Sequence, residues 1–268
     1  MTAGATPTFT AQRRERILEL LRVNRAMALR DIARQVRASE ATVRRDVRAL
    51  ESDGLLDRRR GGAVLPGLLD HDPPADGAGE APVAGERALA YAAARLVGDN
   101  DTIALGPGRK TEALAHEIAH RNGLTVVTTS LPVAEALSAS PGVEVVVSGG
   151  TLHGPLRSLV GSAAEQTLRG LRVRRSFLSG DGVTADRGLS TSVTATGSTE
   201  RALVSCAEEA IVLADHTAVG TDTMVSTAPP EHIAHLVTDN HADPEVLLTL
   251  EETGTVVHVA VLESDRGE

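Results

Sequence analysis

A glycine-containing turn near residue 106 has the composition of an anion-binding site. Residues 102–105 predict a strand, and a helix is predicted over residues 111–120. The residues that join them are Gly106, Pro107, Gly108, Arg109, Lys110 and Thr111. N–H groups at the start of a helix attract phosphate, glycine lets an anion approach the backbone, and two cations add charge. The turn therefore predicts a phosphate site; an ordinary strand-to-helix turn with two exposed cations is the alternative.

Two histidines on the same predicted helix have the spacing of a zinc site. In the H-E-x-x-H pattern, which His116, Glu117 and His120 match, the histidines bind zinc and the glutamate acts as general base. No downstream motif marks a third ligand, and Glu135 and His153 are arbitrary candidates. The chain has nine histidines, so we favour a chance match on a polar helix face. We predict no metal and no cofactor.

Arginines near the N-terminus share one side of a predicted helix. At about 100° per residue, the apolar residues of this helix form one stripe, and Arg44, Arg45 and Arg48 project from the opposite side. Arginine grips phosphate or pairs with guanine in the major groove. Ser39 and Thr42, at the helix start, can bond backbone phosphates. The pattern predicts a helix that reads DNA, with a solvated charged face as the alternative for any one arginine.

The elements around this helix follow the order of a winged helix-turn-helix. The predicted elements are helices over residues 11–23, 29–36 and 40–52 and a hairpin over residues 55–64. The hairpin tip carries Arg58, Arg59 and Arg60, which would contact phosphate or the minor groove. We therefore predict an N-terminal winged helix-turn-helix domain over residues 1–65.

The rest of the chain predicts a separate α/β domain. Residues 66–82 are rich in proline, glycine and aspartate, which predicts a linker. Beyond it, helical stretches alternate with short apolar runs, so residues 83–268 are expected to form a largely parallel sheet with helices. The runs cover residues 102–105, 124–128, 143–147, 210–214, 235–238 and 256–261.

Charge is divided unevenly along the chain. Residues 11–62 carry 14 arginines and eight acidic residues, a net charge of +6, whereas residues 63–268 carry 13 basic and 28 acidic residues, a net charge of −15. A basic end on an acidic body indicates a polyanionic partner for that end alone, although a general preference for arginine would also give the basic end. The single Cys206 excludes an internal disulfide, and scarce aromatic residues disfavour binding of single strands. The absence of a long apolar run or signal sequence predicts a cytoplasmic protein without a membrane partner.

The N-terminal motifs resemble those of the DeoR/GlpR family of bacterial transcriptional regulators. They are Ser39-Glu40-Ala41-Thr42-Val43-Arg44-Arg45-Asp46-Val47, Leu50-Glu51-Ser52-Asp53-Gly54-Leu55-Leu56 and Arg58-Arg59-Arg60-Gly61-Gly62-Ala63. The resemblance implies a repressor of a carbohydrate operon that binds a double-stranded operator as a homo-oligomer. It also implies that the C-terminal domain resembles sugar-phosphate isomerases in fold and senses a phosphorylated sugar that relieves repression.

The resemblance extends into the second domain and implies further effector-binding residues. Val127-Thr128-Thr129-Ser130 resembles a family strand-end motif, with Thr129 in place of the usual asparagine. Asp181 and Gly182 match a family turn, and Asp215 begins Asp215-His216-Thr217-Ala218. The expected effector-binding set is Gly106, Gly108, Arg109, Lys110, Thr111, Thr129, Asp181, Gly182 and Asp215. The sequence departs from the family at Gly106, where an acidic residue is usual, and at Glu200 and Ala218, where lysines are common. The identity of the effector therefore stays open.

Two other functions remain open for the second domain. In one, the domain retains isomerase chemistry, with Asp181 or Asp215 as acid and base; the missing lysines disfavour it, and we predict no enzymatic activity. In the other, the protein is a regulator that no longer responds to any ligand.

Overall fold

The computed structural model describes residues 9–24, 26–36, 38–52, 55–59, 62–64 and 84–262. The chain divides into two compact units, Met1–His71 and Asp72–Glu268, and each is described by itself. The division falls in residues 65–83, which lie outside the described residues. The domain bounds 1–65, 66–82 and 83–268 therefore stay a prediction.

The first unit combines three helices with a small antiparallel sheet. Its elements are α1 (Phe9–Asn24), β1 (Ala26–Ala28), α2 (Leu29–Gln35), α3 (Glu40–Ser52), β2 (Asp57–Arg59) and β3 (Gly62–Val64). The strand order is β1-β3-β2, and the helices bury Ile17, Ile32 and Val47 completely. The predicted three helices and hairpin are confirmed. The strand β1 was not predicted, because three apolar residues are too few to show an alternating pattern.

The second unit is built on a seven-stranded parallel sheet with the order β15-β14-β12-β9-β4-β5-β6. These strands are β4 (Thr102–Leu105), β5 (Leu124–Thr128), β6 (Val143–Val147), β9 (Val173–Ser179), β12 (Ala207–Leu213), β14 (Ile233–Asp239) and β15 (Val256–Ala260). Two smaller antiparallel sheets contain β7 (Thr151–His153) and β8 (Ser158–Val160), and β10 (Gly182–Thr184), β11 (Gly188–Thr191) and β13 (Val225–Ala228). The predicted α/β fold with a parallel sheet is confirmed.

Helices cover both faces of the parallel sheet. They are α4 (Ala84–Ala94), α5 (Arg109–Ile118), α6 (Leu131–Leu137), α7 (Ser162–Arg169), α8 (Gly197–Ser205) and α9 (Pro244–Glu252). Alternate residues of β4 belong to different cores: Ile103 packs in the cluster that contains Leu114 of α5, and Ala104 in the cluster that contains Leu203 of α8. Among the described residues, no helix is long and apolar enough to cross a membrane.

The central strand β9 was not predicted because charged residues interrupt its apolar pattern. Its first half contains Arg174 and Arg175, which lie 2.9 Å from Asp101 and 2.7 Å from Glu209, respectively. Its buried apolar residues are Val173 at its start and Phe177 and Leu178 in its second half. Ion pairing thus allows a strand with charged residues to occupy the middle of the sheet.

The direction of the strand order reverses between β4 and β9. From β4 the chain adds β5 and β6 on one side, and it then adds β9, β12, β14 and β15 on the other. In open α/β sheets, ligands bind beyond the carboxyl ends of the strands at such a switch point. The topology therefore indicates a ligand site near the residues that follow β4 and β9.

Candidate functional site

Helix α3 buries its apolar stripe and leaves its arginines exposed. Val43 and Val47 are fully buried in the first unit, whereas Arg44, Arg45 and Arg48 are exposed. One stripe thus anchors the helix while the opposite face presents positive charge. The arginine face deduced from the helical wheel is an accessible surface, and its contact with DNA stays a prediction.

Two hydroxyl side chains lie at the N-terminal cap of α3. The backbone N–H of Thr42 donates to Ser39 Oγ at 3.2 Å, and the two hydroxyl oxygens lie 2.8 Å apart. This is the geometry of a helix N-cap, which satisfies one of the free N–H groups of the first turn. The hydroxyls of Ser39 and Thr42 therefore stabilise the helix end at which a DNA phosphate would be favourable.

Arg44 is held in place along the exposed face of α3. Its Nη2 lies 2.8 Å from Glu40 Oε1, one helical turn earlier, and both side chains are about half exposed. An exposed pair of this kind contributes little to stability, about 0.3–0.5 kcal/mol. It can therefore be exchanged for a contact with DNA at small cost.

A buried carboxylate joins α3 to α1. Asp46 is 3% exposed, and its oxygens lie 2.6 Å from Arg13 Nε and 3.3 Å from Arg14 Nε. Sequence reasoning missed this contact, because nothing in the local pattern relates residues more than thirty positions apart. The ion pairs fix the packing of the arginine-bearing helix on its neighbour.

The described residues include only part of the wing, which is the hairpin of β2 and β3. Arg58 and Arg59 belong to β2, where they pair with Ala63 and Gly62 of β3, respectively. Arg60 lies outside the described residues. The contacts of all three arginines with DNA stay a prediction.

In the second unit, the expected effector-binding residues follow four adjacent strands. Gly106 comes directly after β4, Thr129 after β5, Asp181 shortly after β9, and Asp215 shortly after β12. The backbone N–H of Gly106 donates to Phe177 O of β9 at 2.9 Å, which joins the two strands at the switch point. Because carboxyl ends of parallel strands share one edge, the sheet brings these separate segments together at the expected ligand edge.

The glycine turn after β4 is held by a buried threonine. Thr111 Oγ1 lies 2.8 Å from the carbonyl oxygens of both Gly106 and Gly108, which share its single hydroxyl proton. Gly108 occupies the N-cap position of α5 with φ of 132°, and this φ favours glycine. Helix α5 begins at Arg109, two residues before the predicted start, so Arg109 and Lys110 belong to its first turn.

Lys110 and Asp215 form an ion pair at the carboxyl edge. Lys110 is 6% exposed, and its Nζ lies 3.0 Å from Asp215 Oδ2. Burial by itself raises the pKa of Asp215, but attraction to Lys110 and hydrogen bonds from Thr217 and Lys110 outweigh it and lower the pKa to about 2. The single lysine of the chain is thus fixed beside an ionised carboxylate.

Arg109 is directed toward a different helix. Its Nη2 lies 3.1 Å from Glu86 Oε2 of α4, and its Nε bonds the other oxygen of the same carboxylate. The charge of Arg109 is therefore compensated by α4. Lys110, the other cation expected at the anion site, is paired with Asp215, which also belongs to the expected effector-binding set.

Asp181 and Gly182 shape the loop after β9. Asp181 accepts hydrogen bonds from the backbone N–H of Ser192 at 2.7 Å and from Thr191 Oγ1 at 3.2 Å. At Gly182, a Cβ atom would lie 2.3 Å from Thr221 O, so only glycine fits there. Gly182 thus has a packing role that sequence reasoning did not identify.

Two buried polar groups near these loops have unused bonding capacity. Among the described residues, Thr129 Oγ1 and Glu200 Oε2 are buried without a hydrogen-bond partner. Burial first, and the nearby charge of Asp181 second, raise the pKa of Glu200 to about 7, against hydrogen bonds from Thr196 and Thr227. Glu200 was noted in the sequence only as a departure from the family, and its burial and coupling to Asp181 emerge from the fold.

The histidines with zinc-site spacing do not share one helix, because α5 ends at Ile118 and His120 lies two residues beyond it. His116 and His120 are exposed, and they do not belong to the one group of three potential metal ligands found in that part of the chain, which consists of His216, Asp239 and His241.

Comparison with protein families gives matches to both units. Residues 13–67 match the DeoR-like helix-turn-helix domain, and residues 83–240 match the DeoR C terminal sensor domain. The second match covers more than half of the chain. The matched ranges include α3 and the residues that follow β4, β5, β9 and β12.

Curated relatives cover almost the whole chain. The transcriptional repressor AccR of Agrobacterium fabrum is 32% identical over 232 residues, which cover 86% of this chain and 90% of the relative. The lactose phosphotransferase system repressor of Lactococcus lactis subsp. lactis is 29% identical, with 92% and 97% covered. Among solved structures, ribose 5-phosphate isomerase A of Neisseria gonorrhoeae is 17% identical and covers 50% of this chain and 52% of its own, with a TM-score of 0.37.

Proposed function

The chain belongs to the DeoR family of DNA-binding transcriptional regulators, and from this premise we propose that it represses a carbohydrate operon and leaves its operator when a phosphorylated sugar binds. The carbohydrate assignment is supported by relatives named for the lactose phosphotransferase system and for the aga operon. The observation that supports the DNA-binding role most directly is the exposed arginine face of α3 above a fully buried stripe.

We infer that α3 enters the major groove. Arg44, Arg45 and Arg48 would contact bases or phosphates, and Ser39 and Thr42 would place a phosphate at the helix start. The wing arginines Arg58, Arg59 and Arg60 would add phosphate contacts. The charge division along the chain supports this assignment, because the acidic second unit would be repelled by DNA.

We propose that the effector binds at the carboxyl edge of the parallel sheet. Asp181 and Asp215 are acidic, so a phosphate group would be unfavourable beside them unless Lys110 and the helix dipole compensated its charge. The phosphate is therefore assigned to the turn of Gly106 and Gly108 at the start of α5. Carboxylates accept hydrogen bonds from hydroxyl groups, so Asp181 and Asp215 would bind the sugar hydroxyls.

Release from DNA requires that the effector bind one state of the regulator more tightly than the other. A ligand with equal affinity for both states would shift nothing, and moving the populations from 1:99 to 99:1 requires a difference of about 10⁴-fold. We propose a homo-oligomer as the responding species, because a symmetric operator is bound by paired recognition helices. The second unit then acts as a binding domain and not as an enzyme.

The test is a binding titration of the full chain with fluorescently labelled DNA from upstream of its own and neighbouring carbohydrate genes. We expect tight binding to one duplex, competition by unlabelled specific DNA, and release by at least one sugar phosphate at concentrations where the corresponding free sugar has no effect. Binding to every duplex with equal affinity would contradict the role of a specific regulator.

The response of the protein to a sugar phosphate is tested separately from DNA binding. Intact operator binding that no sugar phosphate changes, together with no shift of the unfolding temperature, would identify a regulator without this ligand response. Isomerisation of a pentose phosphate by the purified protein would instead show that the second unit is an enzyme.

A further inference from the structure

Two loops that follow neighbouring strands bring two histidines to one buried carboxylate. His216 follows β12, and Asp239 and His241 lie at and just after the end of β14. Strands β12 and β14 are adjacent and parallel, so the two loops leave the sheet at the same edge. This group was not identified in the sequence, where the spacing of His116 and His120 was the metal motif considered.

The distances within the group are those of side chains that can share an ion. His216 Nδ1 lies 3.0 Å from Asp239 Oδ1, and His241 Nδ1 lies 3.9 Å from the same oxygen. One ligand atom from each residue lies within 4.8 Å of the others. Two atoms bonded to one zinc ion at about 2.1 Å with tetrahedral angles are separated by about 3.4 Å. Small side-chain rotations would therefore suffice.

The carboxylate is already oriented by the backbone. Asp239 is 2% exposed, and its oxygens accept hydrogen bonds from the backbone N–H groups of His216 at 3.0 Å and His241 at 2.9 Å. Hydrogen bonds that orient a ligand contribute to metal affinity because less freedom is lost on binding. Each of the two loops thus supplies both an imidazole and a backbone donor that fixes the shared carboxylate.

Solvent can reach the group from the histidine side. The side chains of His216 and His241 are 41% and 44% exposed, so an ion can enter and water can complete its coordination. Two imidazoles and one carboxylate suit zinc and similar transition metals, whereas magnesium prefers oxygen ligands in octahedral geometry. The chemistry of the donors therefore selects a transition metal.

We propose that His216, Asp239 and His241 form a binding site for a divalent transition metal ion such as Zn²⁺. The ion would join the loops after β12 and β14, and water would complete its coordination. His216 directly follows Asp215, so the occupied site would lie next to the Lys110–Asp215 pair. The metal site is independent of the identity of the effector.

The proposal is tested by titrating zinc chloride into the whole 268-residue chain after removal of metal with a chelator. We expect the original protein, which has all three residues, to bind one Zn²⁺ per chain. A titration with magnesium chloride should show no comparable binding of Mg²⁺. His216→Gln and His241→Gln should each weaken zinc binding about tenfold or more. Zinc should also raise the unfolding temperature of the original protein but not that of the two variants.

Matched histidine variants provide the controls. His120→Gln removes one histidine of the His116/His120 pair, and His235→Gln removes a histidine whose Nδ1 lies 3.1 Å from His258 Nε2. Both variants should bind zinc as the original protein does. Thermal unfolding measured without metal shows whether each variant is folded. If His216→Gln is not folded, the test depends on His241→Gln alone. Absence of zinc binding, unchanged binding in His241→Gln, or loss of binding in His120→Gln would each overturn the proposal.

Discussion

Lys110 Nζ lies 3.0 Å from Asp215 Oδ2, which joins the first turn of α5 to the loop after β12. The strand β9 lies between β4 and β12 in the sheet, so the pair spans the switch point. Its position explains how this chain retains a cation at the proposed effector site, although Ala218 and Glu200 stand where the resemblance to the family leads us to expect lysines.

Removing the charge of Lys110 should destabilise the second unit at neutral pH. The pKa of Asp215 is about 2 in the folded protein, against a reference value of 3.8. Its contribution to stability is therefore present above about pH 4 and lost as the pH falls toward 2. Allowing for the partial exposure of Asp215, we expect Lys110→Met to cost about 1–2 kcal/mol at pH 7.

Urea unfolding of the second unit at pH 7 and pH 3 measures this effect. The matched control is Arg187→Met, which removes an exposed pair with Asp222 at 3.2 Å and should cost less than about 0.5 kcal/mol. An equal cost in both variants would contradict a special role for Lys110.

Glu200 should make the second unit less stable as the pH rises. Its pKa is raised from a reference value of 4.5 to about 7 by burial and then by Asp181. A raised pKa favours the folded state below about pH 4.5, and this contribution is lost as the pH rises to about 7. Glu200→Gln should abolish this dependence and increase stability at pH 8 by about 2–3 kcal/mol relative to the original protein.

The measurement compares unfolding at pH 5 and pH 8 for the original protein, Glu200→Gln and Glu251→Gln. Glu251 is exposed on α9, so its substitution should leave the pH dependence unchanged. If the stability of Glu200→Gln still declines between pH 5 and pH 8, titratable groups other than Glu200 cause the decline.

Asp46 should support DNA binding without touching DNA. It joins α3 to α1 through Arg13 and Arg14, and Asp46→Ala removes the buried carboxylate that both arginines share. Because the arginines are partly exposed and can regain water, we expect a loss of about 1–3 kcal/mol in the first unit. The apparent affinity for the operator should fall in proportion to the fraction of protein in which the first unit is unfolded.

Thermal unfolding and operator titration of the same samples measure the two effects. The control, Glu19→Ala, removes the exposed pair of Glu19 with Arg16 on α1 and should change both values little. Normal stability and normal DNA binding in Asp46→Ala would show that the buried pairs are dispensable.

Arg44→Ala and Arg48→Ala should weaken operator binding while the fold is retained. Both side chains are exposed, so the loss of stability should be small. A lost base contact costs about 1–3 kcal/mol of binding free energy and relaxes specificity at one position. The charge-matched control is Arg169→Ala on α7. Unchanged operator affinity in both α3 variants would exclude the exposed arginine face of α3 as the DNA-binding surface.

Substitution of a wing arginine should have a different signature. If Arg59 contacts a phosphate, Arg59→Ala should weaken binding to specific and non-specific DNA alike. It should also reduce the slope of log affinity against log salt by about 1. Salt titrations on both kinds of duplex measure this effect, and a loss confined to the specific duplex would instead indicate a base contact.

Local sequence patterns determined several elements of this protein. The bounds of α3, Glu40–Ser52, agree with the prediction, because an N-cap serine, an apolar stripe and a following Asp-Gly all act within a few residues. The strands β4, β5 and β6 also have their predicted bounds, since each is a short apolar run between polar segments. The arginine face of α3 followed from helical geometry alone.

Only the tertiary structure decided which distant residues meet. The pattern of β9 was hidden by Arg174 and Arg175, and its place beside β4 depends on the order of the whole sheet. The same order brings Lys110 to Asp215 and His216 to Asp239. The raised pKa of Glu200 likewise depends on burial. Propensity and periodicity act between near neighbours in the chain, whereas pairing, burial and pKa depend on packing between segments that the sequence does not place together.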